Sequence, residues 1–220
     1  MLVAAGRGDR LGGDRPKAFA RLGELPLLAE PLRRLDDSDA VDAIVLVAPP
    51  GWEEPAILLA EEVGASKVSA CVPGGDTRAD SVRAGLAEVP ADAAVVLVHD
   101  AARPLLPPGL VERLLRALDS GYEGAVPGLP ITDTIKRVRD GVVVETPARD
   151  ELVAVQTPQA FAAAALRSAF AAADGAAQAT DCASLVETAG GRVAVVLGDE
   201  RLLKVTTPED LQRVARWLDA

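Results

Sequence analysis

Few aromatic residues and little positive charge distinguish this 220-residue sequence. Phenylalanine, tryptophan and tyrosine make up 3% of the chain and hydrophobic residues 49%, so the core must be aliphatic. Lysine and arginine number 23 against 33 aspartates and glutamates, which gives a formal net charge of −10. Nucleic-acid-binding proteins usually carry a basic stripe, and disordered chains are far less apolar. We therefore expect a folded protein that binds no nucleic acid and gathers positive charge locally wherever it binds an anion.

Cysteine, histidine and long hydrophobic runs are equally scarce. Cys71 and Cys182 lie far apart without the spacing of a zinc site, so we predict neither a disulfide framework nor a structural metal. No apolar stretch approaches the roughly 20 residues of a membrane helix. The sequence enters a glycine loop without the basic segment and apolar stretch of a signal peptide. These absences favour a reduced, soluble, cytoplasmic protein with no membrane partner.

Short β-branched runs alternate with amphipathic stretches along the chain. The runs at 43–48, 94–98 and 193–197 have the near-continuous apolar pattern of strands covered on both faces. Helical patterns lie between and after them, at residues 55–63, 78–89, 108–118 and 208–218. Strands that alternate with helices predict an α/β fold with a doubly wound, mostly parallel sheet.

One region, about residues 133–150, breaks this alternation. Two β-branched runs, Ile135–Val138 and Val142–Glu145, flank Arg139-Asp140-Gly141, and Asp-Gly between such runs predicts a β-hairpin. Its mixed polarity suits an arm that projects from the body, with or without a function of its own. Farther along, the alanine-rich stretch 160–173 predicts a helix. Because no repeat or linker divides the chain, we expect residues 1–220 to form one domain that includes this β-arm.

A glycine-rich loop, AAGRGDRLGG at residues 4–13, follows the first short strand. Small residues let the backbone approach a ligand and point N–H groups at it, while Arg10 and Lys17 add positive charge. Doubly wound sheets bind ligands at the carboxyl ends of their strands. These features favour a polyphosphate cradle over an ordinary glycine turn with solvated charges. The loop lacks the Gly-Lys-Ser/Thr of a Walker loop, and Leu11 breaks the dinucleotide fingerprint.

A second glycine pair opens the motif GGDTRADSV at residues 74–82. The motif follows a strand and begins a helix, with Asp80 and Ser81 as candidate N-caps. A flexible Gly-Gly with polar neighbours is also suited to contact the edge of a base. Both interpretations place these residues at the carboxyl edge of the sheet.

The motif VHDAARP at residues 98–104 ends the most apolar strand. His99 is the only histidine, and a lone histidine is more often packed or hydrogen-bonded than catalytic. Asp100 is suited to accept a hydroxyl hydrogen bond or to help hold Mg²⁺, and Arg103 to grip a phosphate.

Farther along, residues 203–211 predict a short strand and a helix start. There Lys204 is either a phosphate ligand beside a helix N-terminus or a solvated charge.

Together these motifs resemble one family. The pattern Ala-Ala-Gly-x-Gly-x-Arg-Leu followed by Pro-Lys is similar to that of the sugar-nucleotide pyrophosphorylase type of nucleotidyltransferase. Further matches narrow the resemblance to the 2-C-methyl-D-erythritol 4-phosphate cytidylyltransferases over nearly the whole chain, at 74–82, 99–104, 133–134, 156–159, 180–181 and 204–206. Val3 stands where that family often has proline, and Cys182 where it often has an acidic residue. The resemblance implies a Rossmann-like nucleotidyltransferase fold.

The resemblance also assigns roles to matching residues. The implied catalytic residues are Arg10, Lys17, Arg149 and Lys204. The implied CTP-binding residues are Ala4, Ala5, Gly6, Gly8, Gly75, Asp76, Ser81, Asp100 and Ala101. The implied residues for the polyol phosphate are Asp100, Arg103, Thr134, Arg149, Thr157 and Lys204. Because the arm exchanges between subunits in that family, Arg149 would serve a neighbouring site and the active unit would be a homodimer.

The implied reaction, with Mg²⁺ as cofactor, transfers CMP from CTP to 2-C-methyl-D-erythritol 4-phosphate in the non-mevalonate isoprenoid pathway. It yields 4-diphosphocytidyl-2-C-methyl-D-erythritol and pyrophosphate. The attacking phosphate is already ionised at neutral pH, which agrees with the lack of a convincing nucleophile–base pair. Positioning and positive charge would then carry the transfer.

Three alternatives come from the same residues. A cytidylyltransferase for another polyol phosphate, such as ribitol 5-phosphate, shares the loop and much of the motif at 99–104. A non-catalytic nucleotide-binding regulator is disfavoured because it has no need of cations that position a nucleophile. A dehydrogenase is disfavoured because the dinucleotide fingerprint fails.

Overall fold

The computed structural model describes residues 1–6, 8, 11, 15–173 and 181–218. In chain order its strands are β1 (Leu2–Val3), β2 (Arg21–Leu22), β3 (Leu25–Pro26), β4 (Ile44–Ala48), β5 (Val68–Pro73), β6 (Val95–Asp100), β7 (Gly124–Pro130), β8 (Arg137–Arg139), β9 (Val142–Glu145), β10 (Val153–Val155), β11 (Gln159–Ala162) and β12 (Val193–Leu197). Its α-helices are α1 (Ala29–Asp36), α2 (Glu53–Glu62), α3 (Arg78–Glu88), α4 (Leu110–Asp119), α5 (Ala163–Ala172), α6 (Cys182–Thr188) and α7 (Pro208–Leu218).

An eight-stranded sheet organises these elements. Strands β5, β4, β1 and β6 lie side by side and parallel, and antiparallel β11 joins β6 to β7. Strand β7 also pairs with β10 antiparallel and with β12 parallel. The prediction of a doubly wound, mostly parallel sheet is confirmed, and the carboxyl ends of β1, β5 and β6 lie at the same edge.

Helices cover both faces of the sheet. Ile44 and Leu46 pack into a core with α1, α2 and α4, whereas Val45 between them packs into a second core with α3, α5 and α6. This alternation follows from the two-residue period of a strand. Because neither face meets water, β4 is apolar throughout, and β6 is apolar up to His99 and Asp100 at its carboxyl end.

Two sequence predictions were wrong in part. The helix predicted at 160–173 begins at Ala163, because Ala160 and Phe161 belong to β11 and are fully buried between β6 and β7. Sheet pairing here outweighs the helix propensity of alanine. The strand predicted before α7 is an irregular segment, held where the N–H of Val205 donates to the carbonyl of Ala102 at 2.8 Å.

The predicted hairpin is present as the pair β8–β9. Its loop is Asp140-Gly141, both with positive φ (48° and 77°), as in a tight two-residue turn of the hairpin type. Every side chain of both strands is exposed, so the hairpin projects from the sheet as an arm. Among the described residues no helix is long and apolar enough to cross a bilayer. The expectation of one domain stays a prediction.

Candidate active site

A cleft of about 270 Å³ opens at the carboxyl edge of the sheet. The ends of β1, β5 and β6 supply most of its wall, and the segments around Lys17 and Lys204 complete it. The lining residues are Val3, Ala4, Ala5, Gly6, Lys17, Ala18, Leu27, Gly75, Asp76, Thr77, Arg78, Ser81, Asp100, Ala101, Ala102 and Lys204. Ten of the residues predicted for the site thus share one cleft, which has the position expected of a ligand site in a doubly wound fold.

The two glycine motifs touch each other through Gly74. A Cβ at this position would overlap the Cβ of Ala5 and lie 2.9 Å from Oγ of Ser81, so only glycine fits. The hydroxyl of Ser81 in turn accepts the Gly75 N–H at 3.2 Å and donates to the carbonyl of Thr77 at 3.0 Å. These contacts fix the spacing between the Ala4–Gly6 loop and the Gly75-Asp76 loop across the cleft.

We expect Gly74→Ala to lower kcat/KM for CTP by about tenfold or more, because a shift of about 1 Å in a positioning loop is that costly. Steady-state kinetics with varied CTP measures the change. The double variant Ala5→Gly/Gly74→Ala, which removes the overlapping methyl, should recover part of the loss. An unchanged kcat/KM in Gly74→Ala would show that loop spacing does not matter.

Helix α3 begins with a capping box rather than with either predicted cap. Thr77 is the N-cap: its hydroxyl accepts the Asp80 N–H at 3.0 Å, and the Asp80 carboxylate accepts the Thr77 N–H at 3.3 Å. The prediction of Asp80 or Ser81 as N-cap was wrong, because Asp80 occupies the third helical position and Ser81 bridges to Gly75. The box places Arg78 as the first helical residue, facing the cleft.

Lys17 also lines the cleft, from the start of a 3₁₀ turn (Lys17–Phe19). Gly8 has φ of 75°, and a Cβ there would collide with the Lys17 stem, so glycine permits this close approach although Gly8 itself does not line the cleft. Burial would raise the pKa of Asp210, but hydrogen bonds from Thr207 and Thr206 and the charge of Lys17 lower it. The predicted Arg10 lies outside the described residues.

Asp100 is the electrostatic centre of the cleft. Its Oδ1 accepts hydrogen bonds from Nε (3.2 Å) and Nη2 (3.1 Å) of Arg78, and its Oδ2 accepts one from Nζ of Lys204 at 2.7 Å. Burial alone would raise the pKa of this carboxyl, but the charges of Arg78 and Lys204 hold it well below its usual value. Two cations thus share one carboxylate, which leaves the cluster with a net positive charge.

A chain of hydrogen bonds through Thr157 and His99 holds the backbone of Asp100 in place. Its backbone N–H donates to Oγ1 of Thr157 at 3.0 Å, and this hydroxyl lies 3.0 Å from Nδ1 of His99. The Arg103 carbonyl, 3.0 Å from Nε2 of His99, can only accept, so Nε2 carries the proton; in the neutral ring Nδ1 is then the acceptor, and the Thr157 hydroxyl donates to it. Burial lowers the pKa of His99 to about 4, so the ring is neutral at pH 7. His99 is hydrogen-bonded and packed, as the sequence predicted.

Arg103 and Thr157 lie behind the cleft rather than on its wall. The guanidinium of Arg103 donates to the carbonyls of Leu202 (2.6 Å) and Val155 (3.4 Å), next to the segment that carries Lys204. Burial lowers the pKa of Arg103. Thr157 is 5% exposed. Their contacts within the single chain hold Asp100 and Lys204 in place.

Thr157→Val should lower the free energy of unfolding by about 2 kcal/mol, because it leaves the Asp100 N–H and Nδ1 of His99 buried without a partner. Urea denaturation measures this. Thr188 makes an exposed hydrogen bond to Ser184, so Thr188→Val is a matched control expected within about 0.5 kcal/mol of the parent. Equal stability of the two variants would contradict the hydrogen-bond chain.

Thr134 and Arg149 lie on the arm segment, away from the cleft. Both are exposed, and Nη1 of Arg149 donates to the carbonyl of Thr132 at 2.9 Å. Neither lines the cleft of its own chain. The structure therefore separates these two predicted site residues from the others.

Sequence reasoning missed Arg78 as a site residue. It also missed five less polar lining residues, namely Val3, Ala18, Leu27, Thr77 and Ala102. The signal for Arg78 was its place directly after Gly-Gly-Asp-Thr, where a helix begins at the sheet edge. Finding it required knowing that Thr77 rather than Asp80 caps the helix, since the cap fixes which side chain faces the cleft.

Comparison with known proteins identifies the family. The model of the family "2-C-methyl-D-erythritol 4-phosphate cytidylyltransferase" matches residues 1–219. The chain belongs to this family. Proteins of that name from Rhodococcus jostii and Nocardia farcinica are 50% and 46% identical to it, over 96% and 100% of this chain and 90% and 93% of theirs. The crystal structure of the Thermus thermophilus enzyme of that name superposes with a TM-score of 0.80 at 33% identity, covering 100% of this chain and 98% of the other.

These matches confirm the family resemblance, the Rossmann-like fold and the enzyme class. The chain is a nucleotidyltransferase, and the comparisons support the function predicted above, cytidylyl transfer to 2-C-methyl-D-erythritol 4-phosphate in isoprenoid biosynthesis. The ribitol 5-phosphate alternative is not favoured. The roles of individual residues, Mg²⁺ and the homodimer stay predictions.

Proposed function

We propose that this cytidylyltransferase joins its two substrates in the cleft around Asp100. One observation supports this above all: in a chain of net charge −10, Lys17, Arg78 and Lys204 line the same cleft. The cytosine and ribose would lie against the Ala4–Gly6 loop and the Gly75-Asp76 loop. The triphosphate would lie toward Lys17, with Arg10 expected beside it.

Lys204 would hold the phosphate of the acceptor and Asp100 would accept a hydrogen bond from one of its hydroxyls, with Arg103 and Thr157 supporting them from behind. An oxygen of this phosphate attacks the α-phosphorus of CTP; the new O–P bond forms as the bond to the β-phosphate oxygen breaks, and pyrophosphate leaves with the electron pair. Because the nucleophile is already an anion, the barrier lies in bringing two anions together. Fixed positive charge lowers that barrier.

No residue of the cleft needs to act as a general base in this scheme. His99, the only histidine, is buried, and its two ring nitrogens are occupied by Thr157 and the Arg103 carbonyl. Burial lowers its pKa to about 4, which makes it a poor proton acceptor at pH 7. Its position agrees with a supporting role.

The cleft fits a Mg²⁺ ion that enters with the nucleotide. Among the described residues no group of three or more His, Cys, Asp or Glu could hold a metal, and both oxygens of Asp100 are already engaged by cations. Mg²⁺ commonly binds through substrate phosphates, water and one or two carboxylates. Asp76, which is exposed on the cleft wall, is the carboxylate best placed to join them. When bound, the ion would neutralise charge on the triphosphate.

The arm supports a homodimeric enzyme. Thr134 and Arg149 lie on it and away from their own cleft, and three consecutive valines, Val142–Val144, are more than half exposed. We propose that the arm packs on a second copy and carries Arg149 to the acceptor phosphate in that copy's cleft. We also propose a cytoplasmic location, where CTP is available.

An assay of pyrophosphate release tests the substrate assignment. The protein is supplied with Mg²⁺, CTP and either 2-C-methyl-D-erythritol 4-phosphate or ribitol 5-phosphate, with ATP, GTP and UTP as parallel nucleotides. We expect release with CTP and the methylerythritol phosphate and little with the other combinations. Release with ribitol 5-phosphate alone would contradict the proposed acceptor.

A further inference from the structure

Arg78 is held on two sides at the rim of the cleft. As the first residue of α3 it reaches Asp100 with two nitrogens, and its third, Nη1, lies 3.5 Å from Sγ of Cys182. Its side chain is 24% exposed, against 44% for Lys204 on the other carboxylate oxygen. Arg78 is thus the more deeply anchored of the two cations that share Asp100.

Because Arg78 and Lys204 share Asp100, Arg78 affects how tightly the carboxylate holds Lys204 and therefore how readily Lys204 can bind a ligand. With Arg78 in place, the carboxylate divides its charge between two cations. Burial raises the pKa of Cys182, so its thiol is neutral and adds no second anion beside Arg78. Without Arg78 the buried carboxylate would have Lys204 as its only ion-pair partner among the residues that the structure describes, and a buried carboxylate holds a sole partner tightly.

We propose that Arg78 is a positioning residue for cytidylyl transfer, which anchors Asp100 so that Lys204 can leave the carboxylate for the acceptor phosphate. The inference rests on the proposed function, in which Lys204 holds that phosphate. It predicts that Arg78 affects the polyol phosphate more than CTP, because it acts through Asp100 and Lys204. A residue that merely stabilises the fold, or one that grips the triphosphate, would not produce this selectivity.

A double-mutant cycle tests it, with kcat and KM measured for each substrate in Arg78→Gln, Lys204→Ala and the double variant. We expect Arg78→Gln to lower kcat/KM for the polyol phosphate about tenfold, while KM for CTP stays within about twofold. The double variant should match Lys204→Ala within about twofold, because a residue that acts through Lys204 has no effect once Lys204 is gone. Arg83→Gln, on the same helix and paired with Asp80 at the surface, is the matched control and should change neither constant.

Arg78→Lys keeps the charge but loses the two-nitrogen contact with Asp100, so its kcat/KM for the polyol phosphate should lie between those of Arg78→Gln and the parent. If Arg78→Gln does not fold, Arg78→Lys replaces it in the cycle. If the losses in kcat/KM of the two single variants multiply in the double variant, or if Arg78→Gln mainly raises KM for CTP, the proposed role of Arg78 is wrong while that of Lys204 stands. An unchanged Lys204→Ala enzyme would instead overturn the phosphate-binding role of Lys204, and this inference with it.

Discussion

Lys204→Ala should lower kcat by about 10²–10³, the usual effect of removing one preorganised charge from a transition state. The ammonium lies 2.7 Å from Oδ2 of Asp100 and lines the cleft, so its loss leaves an acceptor phosphate facing a carboxylate without a counter-charge on that side. Arg78 still neutralises Asp100, so the fold should survive. Pyrophosphate release with both substrates saturating measures the loss.

Two variants serve as controls for this change. Lys204→Arg retains the charge and should keep a larger share of the activity than the alanine variant. Lys67→Ala removes a lysine just before the amino end of β5, at the opposite edge of the sheet, where its Nζ donates to the Ser38 carbonyl; it should leave kcat unchanged. If Lys204→Ala and Lys67→Ala turned over alike, Lys204 would have no part in the transfer.

Mixing two inactive variants should restore activity if the arm works across a dimer. Lys17→Ala should lose at least about tenfold in turnover by the loss of charge on the triphosphate, and Arg149→Ala should lose its grip on the acceptor in the neighbouring cleft. A mixed dimer contains one cleft with both residues intact. Activity should therefore rise toward about one quarter of the parent's, since half of randomly assembled dimers are mixed and each has one intact site.

Subunit exchange must be demonstrated separately, for example by co-purification of differently tagged chains. Recovery would place Thr134 and Arg149, which are exposed and away from their own cleft, in the site of a second copy. Continued inactivity in proven mixed dimers would mean that each cleft is built from a single chain.

Much of the architecture could be predicted because the central strands are covered on both faces. That burial makes β4 and the first four residues of β6 continuous apolar runs, whereas β12, predicted from the same pattern, leaves Val195 and Leu197 exposed. Helix α7 was predicted at Pro208–Leu218 with both bounds correct. The hairpin could also be predicted from the sequence, because Asp-Gly favours the positive φ that such a turn requires, and Asp140 and Gly141 both adopt it. Local signals of this kind do not depend on the rest of the chain.

The sequence predictions were wrong where contacts with distant parts of the chain determine the local structure. Ala160 and Phe161 are strand residues only because β6 and β7 flank them, and nothing in the alanine-rich sequence reports those neighbours. Arg78 faces the cleft because Thr77 caps α3, whereas the sequence was interpreted with Asp80 or Ser81 as the cap. The phosphate contact of Arg103, predicted from its residue type, stays a prediction, because the hydrogen bonds of its guanidinium to the carbonyls of Leu202 and Val155 do not test it.

A crystal structure with CTP and Mg²⁺ tests most directly whether this edge of the sheet binds the nucleotide. We expect the cytosine between the Ala4–Gly6 loop and Gly75-Asp76, with the triphosphate within hydrogen-bond distance of Nζ of Lys17 and the side facing Asp100 and Lys204 left open for the acceptor. A nucleotide bound at any other place on the molecule, with the Asp100 cleft empty, would contradict it.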